Sequence, residues 1–174
     1  MKKLIGFVLV ALATMLVTEP VFAQSDATSK MRGEYNFRGS SASRSMRNAR
    51  EYSHAYREYA QTPQLEKVNP EVAKETSNSI GEYIPKAQKH MAWMRKQAAG
   101  DKETLVSLDL IDASLKDAAK SHKAMHDLCE KEDVDADGSM KCCEQIDESL
   151  ATAIAEHDKL MKRLADNKKA VSKK

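Results

Sequence analysis

Apolar side chains recur at steps of three and four residues in four successive stretches of this 174-residue chain. This spacing places them on one face of an α-helix, and such a face must be buried against another element. The first stretch ends before Pro63, and the second begins at Asn69 and Pro70, a helix-capping residue followed by proline at the first helical position. Asp101 and Ser139 are the predicted N-caps of the third and fourth helices.

Short connections between long amphipathic helices favour antiparallel neighbours. The sequence therefore predicts an all-α fold, an up-down-up-down antiparallel four-helix bundle over residues 42–172. Residues 24–41 are rich in Ser, Gly, Arg and Asn without a sustained period, which predicts a flexible lead-in. The charged fraction of 31% and the 6 Gly argue against a multi-span membrane protein and a β-sandwich. The formal charge of +2 gives no reason to expect nucleic acid as a partner.

Residues 1–23 have the organisation of a secretory signal peptide. Lys2 and Lys3 form a basic start, Leu4–Val17 is an apolar run, and Val21-Phe22-Ala23 presents small residues at the positions that a signal peptidase reads. The apolar run is shorter than the roughly 20 residues that span a bilayer. We expect cleavage between Ala23 and Gln24, a periplasmic or secreted protein, and no membrane span after cleavage.

The third helix carries two histidines and a cysteine on its predicted inward face. His122 and His126 lie one helical turn apart, and Cys129 follows three residues later. A hairpin to the fourth helix brings the inward-facing Cys143 level with Cys129. Neutral imidazole and thiolate are ligands that zinc and copper ions prefer. These four residues form the first predicted metal site, for copper or zinc.

The three cysteines allow a different reading. In an oxidising compartment, Cys129 can form a disulfide with Cys142 or Cys143 and staple the hairpin, which leaves one thiol over. The chain would then be a structural or interaction module without a ligand. The two histidines could in that case be satisfied by hydrogen bonds, for instance to Tyr52 or Tyr56.

A second possible metal cluster follows from helix register. In antiparallel helices its six residues fall within about one turn of each other in height. Imidazole and thioether ligands suit copper and also haem iron, although the chain has no Cys-x-x-Cys-His motif for covalent haem attachment. The alternative is that the methionines only fill the core. The six residues are His90, Met91, Asp112, His157, Met161 and Met46.

The connection between the third and fourth helices resembles an EF-hand calcium loop over residues 133–144. Oxygen-bearing side chains occupy alternate positions, glycine stands at the sixth and glutamate at the twelfth, as Ca²⁺ coordination requires. The alternative is an acidic hairpin turn. The predicted calcium residues are Asp133, Asp135, Asp137, Ser139 and Glu144.

A patch around Trp93 and Val106 lies off the apolar stripes and is a candidate surface for a homodimer or a protein partner. No phosphate-binding glycine loop, nucleophile elbow or H-E-x-x-H motif occurs. The sequence thus favours a non-enzymatic binding protein.

Four segments, KMRGEYNF, NPEVAKE, AQKHMAWMRKQA and AEHDKLMKRL, resemble those of small secreted helical proteins from planctomycete-type bacteria. The resemblance spans most of the chain after the signal peptide. It implies a secreted location and a helical fold, but it assigns no function to any residue of this chain. The main prediction is therefore a secreted or periplasmic bundle that binds copper or zinc, with calcium and haem as weaker possibilities.

Overall fold

The computed structural model describes residues 21–63, 65–98 and 100–171. Residues 1–20, which hold most of the predicted signal peptide, and residue 172 lie outside the described residues. Four helices form over the described part: α1 Val21–Ala60, α2 Pro70–Gln97, α3 Lys102–Cys129 and α4 Ala136–Val171. The bundle begins at Glu34, because the part of α1 before it belongs to a separate unit. None of the described helices is long and apolar enough to cross a membrane.

Each helix runs antiparallel to the next, and α4 returns beside α1. In α1 and α2 an early residue faces a late one: the rings of Tyr35 and Trp93 lie 6.0 Å apart, as do those of Tyr52 and Tyr83 further along. The predicted up-down-up-down four-helix bundle is confirmed. The other contacts are Ser77–His122 and Arg95–Asp109 for α2 and α3, Ser107–Glu156 and Ser121–Gln145 for α3 and α4, and Arg47–Asp158 and Arg57–Glu144 for α1 and α4.

Side-chain caps set the starts of α2 and α3 where the sequence predicts them. Asn69 Oδ1 accepts the backbone N–H of Glu71 at 2.9 Å, and Pro70 occupies the first helical position. Asp101 Oδ1 accepts the backbone N–H of Thr104 at 3.0 Å. These acceptors satisfy N–H groups that have no partner inside the helix.

The predicted start of α4 at Ser139 is wrong. The helix begins at Ala136, and Asp135 Oδ1 accepts the backbone N–H of Gly138 at 2.9 Å. Because Asp135 supplies this acceptor one turn earlier, Ser139 falls inside the helix. Its hydroxyl is buried and lies 2.8 Å from the hydroxyl of Tyr56 on α1.

The flexible lead-in predicted for residues 24–41 is also wrong, because this segment is helical and continuous with α1. Within the bundle unit, the Tyr35 ring meets Trp93 edge-on and Arg38 lies over the same ring at 5.4 Å. Gly39, one turn after Tyr35, is buried against α4. Packing of this face offsets the low helix propensity of the Ser, Gly and Asn residues.

The same contacts correct the prediction of an exposed patch at Trp93. The indole is half-buried beneath α1 and packs against the core. Val106 is 59% exposed, as expected, and Leu110 is 53% exposed. Trp93 therefore does not belong to the exposed apolar surface, which includes Val106 and Leu110 on α3 and Phe37 and Tyr52 on α1.

The bundle core is built mainly from Ile, Leu, Met and Ala, with one tyrosine and the three cysteines. Its members come from all four helices and carry the spacing predicted for one inward face per helix. The largest fully buried side chains are Met46, Tyr56, Ile80, Ile84, Met94, Leu108, Ile111, Leu115, Met125, Ile146, Leu150 and Leu160.

Candidate functional site

The two histidines of α3 face α2. His122 Nε2 donates to the carbonyl oxygen of Ser77 at 2.8 Å, and His126 Nδ1 lies 3.4 Å from Ser77 Oγ. The two ring centroids are 6.2 Å apart. Burial lowers the pKa of His122, which the hydrogen bond to Ser77 opposes and the neighbouring His126 reinforces. The imidazole of His122 is therefore neutral at pH 7, and only its Nδ1 retains a free lone pair.

Two residues that the sequence analysis missed shape this contact. The first is Ser77 on α2, whose side chain is 0% exposed. A Cβ built at Gly81 would lie 2.7 Å from His122 Cε1, so the glycine makes room for the ring. The histidines are therefore satisfied from α2, and the predicted tyrosine partners on α1 are wrong.

The inward centre of α3 near its end is occupied by Met125. This residue is 0% exposed, whereas His122 and His126 are only half-buried. The prediction that the inward face passes through both histidines is wrong for His126. Steps of three and four from Leu115 can run through 119, 122 and 126 or through 118, 122 and 125. Packing buries Ala118 and Met125, so His122 lies half-buried on the selected stripe and His126 lies beside it.

All three cysteines are free thiols gathered at the end of the bundle near the α3–α4 connection. Cys129 and Cys143 are 0% exposed and Cys142 is 9% exposed. Cys143 Sγ lies 3.4 Å from Met125 Sδ. The three thiols are close enough for electrostatic coupling between Cys143 and each of the others. We call Met125, Cys129, Cys142 and Cys143 the sulfur cluster.

Hydroxyl groups from α1 line the sulfur cluster. Ser53 Oγ donates to the carbonyl oxygen of Cys143 at 2.8 Å and also lies close to its thiol. The Tyr56 hydroxyl lies between Ser139 and the thiol of Cys129. Because these polar groups belong to helices that pack in the core, they hold defined positions around the sulfur atoms.

The sulfur cluster disfavours bare thiolates. Burial raises the pKa of Cys129 to about 11, and the neighbouring Cys142 adds to this shift while Tyr56 opposes it. Burial raises the pKa of Cys143 to about 12, with Ser53 opposing. Burial and the carboxylate of Asp135 raise the pKa of Cys142. At pH 7 the three groups are neutral thiols, which are poor nucleophiles.

In the structure, the histidines and the cysteines of the first predicted metal site lie in separate places. His122 and His126 bind Ser77 on α2, whereas Cys129 and Cys143 lie with Met125 and the α1 hydroxyls. Among the described residues, no three His, Cys, Asp or Glu side chains converge as a metal-binding group.

The second predicted cluster is dispersed. His157 is 2% exposed and lies beside Met161, since both approach Gly39. The His90 ring instead meets Phe37 edge-on at 6.5 Å. Met46 and Met91 are buried in the core, and Asp112 pairs with Lys116 at 2.8 Å on the surface of α3.

The acidic connection does not adopt the conformation of a calcium loop, because residues 136–144 are helical. Asp133 pairs with Lys67 at 3.2 Å, and Asp135 caps α4. Glu144 pairs with Arg57 at 3.2 Å. The structure does not bring these carboxylates together, and Ser139 turns into the core while Asp137 is exposed in the first turn of α4.

Comparison with known proteins gives no match to a family model, a curated protein or a solved structure. The class of protein therefore rests on the four-helix fold and on the chemistry of its buried groups.

Proposed function

We propose that this protein binds a soft transition-metal ion, Cu(I), in the core of the bundle. The ligands are the sulfur atoms of Cys129, Cys143 and Met125. The observation that carries the proposal is the 3.4 Å contact between Cys143 Sγ and Met125 Sδ inside a group that contains every cysteine of the chain. Thiolate and thioether sulfur select Cu(I) over harder ions. The role is binding or buffering of the ion in the periplasm or outside the cell.

Electrostatics supports a bound cation at this place. Each thiolate of the sulfur cluster is disfavoured by burial and by the charge of its neighbours. A monovalent cation coordinated by both sulfurs offsets one of the two thiolate charges and reduces their mutual repulsion, which leaves one net negative charge at the site. Binding then releases protons from Cys129 and Cys143, so the affinity for Cu(I) rises with pH.

The same geometry favours copper over the other ions. Structural zinc sites use four ligands, usually cysteine and histidine, whereas the histidines of α3 are turned toward Ser77. Calcium needs six or more oxygen ligands, and the acidic side chains near α4 are separated from one another by their ion pairs and caps.

Competition for Cu(I) against a chromogenic chelator under reducing, oxygen-free conditions tests the proposal. We expect one equivalent of tightly bound Cu(I) in the wild type. The double substitution Cys129→Ser/Cys143→Ser should abolish it, and His122→Gln/His126→Gln should leave it unchanged. Circular dichroism of both variants shows whether the helices are retained. Tight binding that survives loss of both cysteines, or that needs the histidines, contradicts the proposal.

The proximity of the thiols also favours a second candidate, a disulfide-stapled interaction module without a ligand. Thiol counting after denaturation without reductant separates the two candidates. Three free thiols in protein purified from its native compartment support the Cu(I) site, and a single free thiol supports the staple.

A further inference from the structure

An open cleft of about 480 Å³ lies between α1 and α4, apart from the sulfur cluster. Its size falls in the range of sites for small ligands. Arg44, Arg47 and Asn48 line it from α1, and His157 and Met161 line it from α4. Cationic and polar side chains thus surround one apolar thioether.

His157 is the most unusual group in this cleft. Its side chain is 3% exposed and neither ring nitrogen makes a hydrogen bond of good geometry, although Asp158 and the backbone of Gly39 lie close enough to act on the ring. The nearest carboxylate oxygen, Asp158 Oδ1, is 3.6 Å from Nδ1. Buried polar groups in folded proteins are nearly always hydrogen-bonded. Both nitrogens are shielded from solvent, so a ligand in the cleft supplies an acceptor once the ring turns toward it.

The arginines give the cleft an excess of positive charge. Arg47 donates to Ser43 Oγ at 3.2 Å and to Asp158 Oδ2 at 2.8 Å. Arg44 is exposed and forms no ion pair with a described residue. One guanidinium is therefore neutralised by Asp158, and the other remains available. The planar guanidinium donates two parallel hydrogen bonds to carboxylate or phosphate oxygens.

We propose that this cleft binds a small phosphate-type oxyanion, with Arg44 and Arg47 holding its charge and His157 donating to one of its oxygens. Two adjacent arginines repel a metal cation, which distinguishes this site from the sulfur cluster. The 480 Å³ of the cleft exceeds the volume of one phosphate group and leaves space for the organic part of a small phosphate ester.

The environment of His157 is consistent with a neutral donor. Burial lowers the pKa of His157, and the charge of Arg47 acts in the same direction. The carboxylate of Asp158 and the backbone of Gly39 oppose this shift. A neutral imidazole keeps one N–H, which suffices for a hydrogen bond to an anion.

Calorimetric titration of the metal-free protein with inorganic phosphate and, separately, with glycerol 3-phosphate tests the proposal. We expect saturable binding of at least one of them and a loss of affinity of about tenfold or more in Arg44→Ala, because charged hydrogen bonds contribute that much. The control is Arg95→Ala. Arg95 lies outside the cleft, between α2 and α3, where it pairs with Asp109, so its loss should leave binding unchanged.

Nuclear magnetic resonance of the imidazole nitrogens gives a second readout that needs no variant. Phosphate should shift the resonances of His157 in the wild type and leave those of His122 in place. Tighter binding of the ester than of free phosphate indicates that the natural ligand carries an organic group. The proposal is overturned by absence of saturable binding, by equal weakening in Arg95→Ala, or by His157 shifts that appear with Cu(I) or Zn²⁺ and not with phosphate. Because the phosphate and ester titrations use metal-free protein, their results do not depend on metal binding at the sulfur cluster.

Discussion

Gly81 on α2 lies in close contact with the ring of His122 on α3. A Cβ there would lie 2.7 Å from His122 Cε1 and 3.0 Å from Nε2. Gly81→Ala therefore displaces the ring and weakens its hydrogen bond to Ser77. We expect overpacking of about 1 to 3 kcal/mol to exceed the helix-propensity gain of about 0.5 to 1 kcal/mol. The net loss, about 1 to 2 kcal/mol, is measured by urea unfolding.

Two controls isolate the cause. At Gly33, also helical, no neighbouring atom lies within 4 Å of a new Cβ, so Gly33→Ala should be neutral or stabilising. Adding Gly81→Ala to a His122→Ala background should cost nothing, since the clash is gone. Equal destabilisation in both backgrounds contradicts the steric explanation.

The inward positions of α2 and α3 show the limit of periodicity at the scale of single residues. A helical stripe fits steps of three or four, so Thr76 and Ser77, or Met125 and His126, satisfy the pattern equally well from sequence alone. Only packing against neighbouring helices decides which of each pair is buried. The residues that shape the histidine contact and the sulfur cluster, Ser77 and Met125, were missed for this reason.

The start of α3 depends on a single side chain. The carboxylate of Asp101 accepts the backbone N–H of Thr104 at 3.0 Å and its hydroxyl at 2.7 Å. The hydrogen bonds to Thr104 lower the pKa of Asp101, an effect that burial opposes. We expect Asp101→Ala to lower the free energy of unfolding at pH 7 by about 1 kcal/mol, the usual contribution of an N-cap. Thermal and urea unfolding measure this.

Asp117→Ala is the matched control, since Asp117 is exposed in the middle of α3 and should contribute little. A lowered pKa means that the cap stabilises the fold above the ordinary pKa of 3.8. This contribution is lost as the pH falls through the lowered value. The two proteins should therefore converge in stability in strong acid, and a constant difference at all pH values argues against the carboxylate as the cause.

At the scale of helices, the sequence predicts α2 and α3 well because caps and proline mark their starts. It fails for the first turns of the bundle part of α1, where Tyr35 and Arg38 contribute through their contacts with Trp93 on α2. Because Trp93 is so distant along the chain, no local sequence pattern predicts these contacts. The prediction of the start of α4 fails for a different reason. Asp135 and Ser139 are both good capping residues and lie one turn apart, so the sequence does not decide between them.

For the whole molecule, the antiparallel bundle follows from four apolar stripes and short connections, and the structure confirms it. The candidate sites do not follow in the same way. Helix register predicts which residues share a height, but rotation of each helix decides whether they face each other. His90 and His157 share a height in that scheme, yet one meets Phe37 and the other lies in the α1–α4 cleft.

Burial of neutral histidines makes the stability of the whole bundle depend on pH. Desolvation lowers the pKa of His90, His122 and His157 below the ordinary value of 6.5. Above pH 6.5 the imidazoles are neutral in the folded and the unfolded chain, so stability is fully present. As the pH falls below 6.5, the unfolded chain binds protons that the folded chain does not, and stability is lost.

Each histidine contributes at most about 1.4 kcal/mol per pH unit to this loss. We therefore expect the free energy of unfolding, measured in urea without added phosphate, to fall between pH 7 and pH 5. His157→Leu removes one of the three groups and should reduce the slope while keeping the helices intact. An identical slope in the variant would show that the buried imidazole of His157 already takes up its proton in the folded state.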